Sequence, residues 1–248
     1  MSQASLNQDE IERYARHLVL PEIGGIGQQK LKAARVLVIG AGGLGAPAIQ
    51  YLAAAGVGTL TLVDDDEVSL SNLQRQVVHG TGEVGSAKVE SAARDVKRLN
   101  PHVAVVSVQA RFNETNAVSL LMGQTVALDC SDNFETRYAA ADACADAKVS
   151  LVSAAVSRFD GSITTLRPWE DDNPSYRDLF PQAPEAGIVP SCAEAGIMGA
   201  VTGMLGTMQA LEAIKLITGA GQCLIGKLLM INGLTMEAQT IRYKRRRA

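Results

Sequence analysis

The chain has few aromatic residues, few cysteines and no long apolar run. Aromatic residues make up 4% of the 248 positions, although hydrophobic residues make up 47%, so we expect a core built mainly from aliphatic side chains and alanine. A membrane-spanning helix needs about 18 consecutive apolar residues, and no stretch reaches that length, so we expect no membrane association. Residues 1–10 are polar, which predicts that no signal peptide is present.

Cysteine is scarce, and its spacing excludes the usual cysteine-rich sites. The four cysteines lie far apart and form no C-x-x-C pair: Cys130, Cys144, Cys192 and Cys223. This spacing predicts a cytoplasmic protein without disulfide bonds. The net charge of −3 argues against general nucleic-acid binding.

The most informative stretch is a glycine-rich turn between two apolar segments. Val36 to Ile39 predicts a buried parallel strand, and the G-x-G-x-x-G run that follows predicts a turn into a helix from about residue 44 to 55. Gly40 would make the tight turn, Gly42 would let the backbone approach a phosphate, and Gly45 would let the helix pack on the strand. The open helix N-terminus would attract an anion.

A second apolar strand, Thr59 to Val63, ends at an acidic residue. Asp64 stands about 20 positions after the turn, where a carboxylate is expected to bind ribose hydroxyls. A glycine turn without a ligand is the alternative interpretation. The complete strand–turn–helix–strand context favours nucleotide binding over that alternative.

The residues after Asp64 indicate which kind of nucleotide is bound. A polar segment, S-L-S-N-L-Q-R-Q, occupies positions 69–76, and it would bring Asn72 and Arg75 beside the phosphates, where arginine can neutralise charge bidentately. Lys88 lies at the start of the next predicted helix, where a cation opposes the helix dipole. This placement hints at a functional cation, although a solvated lysine is the plainer reading. Together these residues favour triphosphate chemistry over hydride transfer.

A third candidate group follows the predicted strand from Thr125 to Cys130. Ligands in open parallel sheets lie beyond the carboxyl ends of the strands, so Asp132 is expected close to the glycine turn. A carboxylate beside a triphosphate is best explained as a ligand of Mg²⁺. Alternatively, Ser131, Asp132 or Asn133 could cap the predicted helix Phe134–Ala147.

The order of elements predicts an α/β fold of the Rossmann type. Strands and helices alternate up to residue 153, which indicates a parallel sheet with right-handed crossovers. Later strands at Gly161–Leu166, Lys227–Asn232 and Glu237–Tyr243 are expected to extend the sheet in antiparallel fashion. We therefore expect a single domain over residues 1–248. Its two parts would be a nucleotide-binding core (35–153) and a second part (154–248) with a proline-rich crossover loop, a helix over 194–218 and the last strands.

The N-terminal region is predicted to be helical. Asn7 and Glu10 form a possible capping box for a helix through residues 11–19, in which Arg13, Arg16 and His17 share one face. A solvated basic face is the ordinary interpretation of such residues. Residues 24–27 are expected to form a loop before a short helix, Gln28–Ala33.

Four motifs taken together resemble the MoeB/ThiF family of adenylating enzymes, most closely its molybdopterin-synthase adenylyltransferase branch. They are GAGGLG, DDDEVSLSNLQRQ, DCSDN and SCAEAGI, and the likeness runs from about Ile11 to Arg242. The resemblance implies ATP-dependent adenylation of the C-terminal glycine of a ubiquitin-like sulfur carrier ending in Gly-Gly, in molybdopterin or thiamine biosynthesis. It further implies ATP and Mg²⁺ as cofactors and a homodimer.

The resemblance also assigns roles to individual residues. Arg16 would reach the ATP site of the neighbouring subunit, Asp132 would hold Mg²⁺, and Cys192 would form a thioester or persulfide link to the carrier unless it is merely a buried cysteine. The residues expected to act in catalysis are Arg16, Arg75, Lys88, Asp132 and Cys192. Those expected to bind the nucleotide are Gly40, Gly42, Gly43, Gly45, Asp64, Ser71, Asn72, Arg75, Lys88, Asp132 and Asn133.

The sequence departs from the family at its zinc-binding positions. Many members hold zinc with two C-x-x-C pairs, but here the first position reads P-S-Y-R at residues 174–177 and the C-terminus reads Y-K-R-R-R-A. Without four ligands we expect no structural zinc. Other interpretations are a relative that adenylates a small carboxylate or a tRNA base, as threonylcarbamoyladenosine dehydratases do, a nicotinamide dehydrogenase, and a non-catalytic ATP-binding scaffold.

Overall fold

A computed structural model describes residues 5–182 and 196–246, and one eight-stranded sheet runs through this part of the chain. The strands are β1 Arg35–Ile39, β2 Thr59–Val63, β3 Ala104–Val108, β4 Val126–Asp129, β5 Ser150–Ser157, β6 Asp160–Leu166, β7 Lys227–Asn232 and β8 Glu237–Arg242. The helices are α1 Gln8–Arg13, α2 Ala15–Leu18, α3 Gly24–Ala33, α4 Gly45–Ala54, α5 Lys88–Leu99, α6 Glu114–Leu121, α7 Phe134–Ala147, α8 Tyr176–Leu179 and α9 Gly199–Thr218.

The strand order explains where a ligand would bind. The sheet runs β3-β2-β1-β4-β5-β6-β7-β8, with parallel pairing from β3 to β5 and antiparallel pairing from β5 to β8. The chain leaves β1 towards β2 on one side and returns to β4 on the other, so a crevice opens beyond the carboxyl ends of β1 and β4. The predicted fold class, a mainly parallel sheet extended by antiparallel strands, is confirmed.

Both faces of the parallel strands are buried, which explains why β1 shows no polar alternation. Val36 and Val38 pack with α4, α5 and α9 on one face, whereas Leu37 and Ile39 pack with α6 and α7 on the other. Such two-sided burial is typical of parallel sheets in α/β proteins. No helix in residues 5–182 and 196–246 is long and apolar enough to cross a membrane.

The N-terminal region differs from the prediction in two ways. The expected single helix is divided at the buried Tyr14 (φ −98°, ψ 13°), whose hydroxyl accepts a hydrogen bond from Asn100 Nδ2. The predicted loop over residues 24–27 is instead the first turn of α3, where Gly27 lies close to Ile23 and Thr218. The predicted capping box of Asn7 and Glu10 is confirmed.

The long helix begins later than predicted. Residues 196–198 are not helical, because Ile197 pairs with Arg158 in a β-bridge and the Met198 N–H donates to the Arg158 carbonyl. The helix therefore begins at Gly199 and ends at the expected Gly219, which has φ +85°. A Cβ at position 199 would lie 2.5 Å from the Gln74 carbonyl oxygen. The start of α9 therefore packs directly on residues 71–76, the S-N-L-Q-R-Q segment.

Candidate active site

A cavity of about 350 Å³ lies at the carboxyl ends of β1, β2 and β4. Its wall brings together three sequence segments that the motifs singled out: the glycine turn, the acidic end of β2 and the residues after β4. The predicted site residues that line it are Gly40, Gly42, Gly43, Asp64, Arg75, Lys88, Asp132 and Asn133. The sheet topology thus assembles groups that are up to about ninety positions apart in sequence.

The glycine turn is shaped by two close backbone approaches. Gly40 has φ +96°, and a Cβ there would stand 3.0 Å from the Cys130 carbonyl oxygen. A Cβ on Gly45 would stand 2.0 Å from the Gly40 carbonyl oxygen. Gly45 is not part of the cavity wall, and its missing side chain lets α4 lie against the end of β1.

Asp64 stabilises the glycine turn by a hydrogen bond to its backbone. Its Oδ2 accepts a hydrogen bond from the Ala41 N–H at 2.7 Å, and its Oδ1 accepts one from the Asp66 N–H at 2.9 Å. Burial raises the pKa of Asp64, and the nearby Lys88 counteracts part of that rise. The carboxylates of Asp64, Asp65 and Asp66 lie within 4.8 Å of one another, so this corner of the cavity is strongly acidic.

Lys88 is a buried cation beside this acidic corner. It is the first residue of α5 and is 5% exposed, and its Nζ donates to Asp66 Oδ2 at 2.6 Å. A cation at a helix N-terminus is unfavourable in isolation. The carboxylate of Asp66 compensates for this placement, and the ammonium group faces the cavity.

The S-N-L-Q-R-Q segment presents Arg75 to the cavity through a short turn. Ser69 caps a 3₁₀ turn over Leu70–Asn72, and the Asn72 side chain accepts a hydrogen bond from the Ser69 N–H. Arg75 Nη1 donates to the Ser71 carbonyl at 3.2 Å. Ser71 and Asn72 therefore build the turn and do not line the cavity, and their contact with a nucleotide stays a prediction.

After β4, hydrogen bonds to the Asp129 carboxylate hold the backbone in place, and Asp132 takes no part in them. Its buried carboxylate accepts hydrogen bonds from the N–H and hydroxyl of Ser131 and from the Ser153 hydroxyl. Asn133, not Asp132, caps α7, because its Oδ1 accepts the Thr136 N–H at 2.9 Å. Asp132 thus projects an exposed carboxylate into the cavity.

Comparison with known proteins identifies the family. The family model described as ThiF matches residues 14–248. This chain belongs to the ThiF family. The resemblance of the four motifs to MoeB/ThiF enzymes is thereby confirmed.

Two curated relatives and one solved structure are similar over most of the chain. The SAMP-activating enzyme E1 of Haloferax volcanii is 49% identical over 240 residues, which cover 97% of this chain and 88% of that protein. The adenylyltransferase and sulfurtransferase MOCS3 of Bos taurus is 49% identical over 244 residues, which cover 98% of this chain but only 53% of that protein. The crystal structure of PaaA has a TM-score of 0.83 at 21% identity, covering 99% of this chain and 77% of that one, and it supports the fold alone.

One residue that the resemblance assigned to ThiF-family catalysis does not line this cavity, and another lies outside the described residues. Arg16 lies on α2, next to α1, whose Arg13 donates to the Leu99 carbonyl at the end of α5. Since α5 begins at Lys88 in the cavity and is roughly 18 Å long, the α1–α2 region that carries Arg16 contacts the end of α5 that is remote from the cavity. Cys192 lies outside the described residues.

The sequence did not single out several groups around the cavity of this ThiF-family member. Arg137, Arg111, Phe112 and Gln76 line it, and His79 lies beneath the glycine turn. Arg137 is 9% exposed, and its Nη2 donates to the Ser131 carbonyl at 3.1 Å. Its position one turn after Asn133 on the predicted α7 is the signal that could have indicated it.

The two positions where the resemblance implies zinc ligands in other members are joined here by hydrogen bonds. Ser175 donates from its N–H and its hydroxyl to Asp178 Oδ2, and the Arg246 N–H donates to Asp178 Oδ1 at 2.8 Å. Burial alone would raise the pKa of Asp178, but the hydrogen bonds from Arg246 and Ser175 lower it below its ordinary value. One carboxylate therefore joins α8 to the C-terminal segment.

Proposed function

We propose that this chain uses ATP to adenylate the C-terminal glycine of a small ubiquitin-like sulfur carrier ending in Gly-Gly. The observation that carries the proposal is the convergence of Arg75, Lys88 and Asp132 on one cavity beside the glycine turn. The two relatives described above are named as an E1 that activates SAMP and as an adenylyltransferase and sulfurtransferase. Both names fit a site that holds a triphosphate next to a second anion.

The reaction needs charge stabilisation more than proton transfer. The carboxylate of the carrier attacks the α-phosphorus of ATP, the bond from that phosphorus to the bridging oxygen breaks, and pyrophosphate leaves with the electron pair. The attacking group is already an anion, so no general base is required. Arg75 and Lys88 would offset the repulsion between the two anions and the charge that develops on the phosphates.

Asp132 suits a magnesium ligand. Its carboxylate is exposed in the cavity, it is not used to cap α7, and within the described residues its one hydrogen bond is a long contact of 3.5 Å from Asn133 Nδ2. Hard oxygen donors of this kind are what Mg²⁺ prefers. When bound, Mg²⁺ would neutralise phosphate charge, and Asp132 would hold it beside the nucleotide.

The proposal includes a homodimer, because Arg16 can serve only a neighbouring site. Its helix lies near the end of α5 that is remote from its own cavity, and Val19 at the end of α2 and Ile26 on the neighbouring α3 are 73% and 69% exposed. Exposed apolar side chains of this kind suit an interface. Two-fold symmetry would let each subunit supply Arg16 to the other. We further propose that the reaction takes place in the cytoplasm, with Cys192 as a candidate link to the carrier.

Pyrophosphate exchange tests the function directly. Purified protein is mixed with ATP, Mg²⁺, labelled pyrophosphate and candidate carriers ending in Gly-Gly, and label entering ATP is counted. We expect exchange with at least one carrier, and loss of it in Arg75→Ala. Arg98→Ala is the matched control, because Arg98 pairs with Asp95 at the far end of α5. Exchange in Arg75→Ala equal to that of the wild type would contradict the proposed role of the cavity.

A further inference from the structure

His79 is a buried histidine bound on both sides of its ring. It is 6% exposed, its Nε2 lies 3.0 Å from the Ala41 carbonyl oxygen, and its Nδ1 lies 2.8 Å from the Ser91 hydroxyl. A carbonyl oxygen only accepts hydrogen bonds, so Nε2 must carry a proton and donate it. In the neutral ring Nδ1 then accepts from the Ser91 hydroxyl.

The surroundings keep the ring neutral. Burial lowers the pKa of His79, and Lys88 lowers it further, whereas the Ala41 carbonyl, Glu83 and Asp95 raise it by less. Deprotonation at Nδ1 fixes the tautomer that donates from Nε2. In this tautomer, Nε2 is the donor and the Ala41 carbonyl oxygen is the acceptor.

The Ala41 carbonyl belongs to the same peptide unit as the Gly42 N–H. In a trans peptide these two groups point in opposite directions, so a carbonyl held towards His79 directs the Gly42 N–H away from the ring. Gly42 lines the cavity, and its N–H donates no hydrogen bond to the described residues. Asp64 holds the preceding peptide unit through the Ala41 N–H.

A glycine peptide needs such a restraint. Glycine adopts both signs of φ at little cost, so the Ala41–Gly42 peptide could turn over and direct a carbonyl at the phosphates. His79 prevents this rotation, and its second hydrogen bond joins it to Ser91 on α5, one turn after Lys88. The ring thus ties the glycine turn to the helix that carries the buried cation.

We propose that His79 is a positioning residue, which holds the Ala41–Gly42 peptide so that the Gly42 N–H faces the nucleotide phosphates. The inference rests on the proposed function, since it needs an ATP-binding cavity. The inference concerns one backbone donor that faces phosphate. Replacing His79 is therefore expected to weaken the binding of ATP and not the binding of adenosine. Loss of a charge-assisted hydrogen bond of this kind weakens binding roughly tenfold.

Two amide substitutions separate positioning from packing. The amide nitrogen of glutamine reaches about as far as Nε2, whereas that of asparagine reaches about as far as Nδ1. His79→Gln can therefore keep the donor to Ala41, and His79→Asn can keep only a contact to Ser91. His102→Asn is the control, because His102 is exposed and its ring makes no hydrogen bond within the described residues.

The dissociation constants of ATP and of adenosine are measured by calorimetry with full-length protein and no carrier, alongside thermal stability. We expect His79→Asn to raise the dissociation constant of ATP about tenfold, to leave that of adenosine unchanged, and His79→Gln to recover most of the affinity for ATP. Equal ATP affinity in the wild type and in His79→Asn would overturn the inference, as would equal losses in both amide variants. A wild type that binds no ATP would instead overturn the proposed function.

Discussion

The ammonium group of Lys88 lies 2.6 Å from Oδ2 of Asp66, yet the two side chains differ in exposure, at 6% for lysine and 66% for aspartate. The cation is enclosed by protein, whereas its partner stands in the mouth of the cavity. The Lys88 ammonium group is already removed from water, so an anion that enters the cavity can pair with it without the further cost of desolvating the lysine. In the proposed reaction, this arrangement would place a desolvated positive charge where charge develops on the phosphates.

Lys88→Met should separate this electrostatic role from a packing role. Methionine fills similar space without the charge, and Asp66 remains hydrated, so we expect the free energy of unfolding to change by less than about 1 kcal/mol. Pyrophosphate exchange should fall by at least about 100-fold. The control is Lys97→Met on the exposed last turn of α5. A Lys88→Met enzyme with nearly normal exchange would show that the buried cation does not act in the reaction.

Mixing two inactive variants should restore activity if Arg16 acts across a dimer. A mixed dimer of Arg16→Ala and Arg75→Ala contains one cavity in which both arginines are intact. After subunit exchange in equal amounts, half of the dimers are mixed and each has one active site of two, so about one quarter of the wild-type exchange rate should return. The measurement is pyrophosphate exchange before and after exchange of subunits. If the mixture stays inactive although mixed dimers are present, Arg16 does not complete the partner's cavity.

Two glycines of α9 should respond in opposite directions to the same substitution. A Cβ on Gly206 would stand 2.1 Å from the Leu44 carbonyl oxygen, whereas a Cβ on Gly203 would meet nothing within 4 Å. We expect Gly206→Ala to destabilise the protein by roughly 1–3 kcal/mol through overpacking. Gly203→Ala should stabilise it by up to about 1 kcal/mol, because alanine favours helix. Urea denaturation measures both changes, and similar values for the two variants would contradict the close approach of α9 to α4.

The link at Asp178 should make stability depend on pH in the acid range. Its pKa is lower in the folded protein than the ordinary value of 3.8, so its contribution is complete above that ordinary value. The contribution is lost as the pH falls below 3.8 through the lower folded pKa. We expect Asp178→Asn to have a lower melting temperature than the wild type at neutral pH, and the difference to shrink in acid. The control is Asp146→Asn, at an exposed position of α7 whose carboxylate makes no hydrogen bond within residues 5–182 and 196–246.

The elements that could be predicted are those whose signal is local. The bounds of β2, β7 and α7 agree with the prediction, because an apolar run or a cap followed by helix-forming residues defines each one. The glycine turn, Asp64 and Asp132 also lie at one cavity, since parallel topology brings the ends of successive strands together. Local patterns and a known topology were sufficient for these features.

The features that could not be predicted depend on contacts between distant segments. The break at Tyr14 results from a hydrogen bond with Asn100, and the late start of α9 results from the pairing of Ile197 with Arg158. His79 offers no motif of its own, and its role appears only when Ala41 and Ser91 are seen on either side of the ring. Tertiary contacts of this kind override local propensity.

Helix α9 connects the cavity to the N-terminal helices. Its 20 residues extend roughly 30 Å, from Gly199 against the backbone of Gln74 to Thr218, whose carbonyl oxygen accepts a hydrogen bond from Lys30 on α3 at 2.9 Å. The helix therefore connects the segment that carries Arg75 to α3 and its neighbour α2. If the proposed dimer forms, α9 would link the segment that carries Arg75 in one cavity to the helix pair that carries the arginine expected in the other.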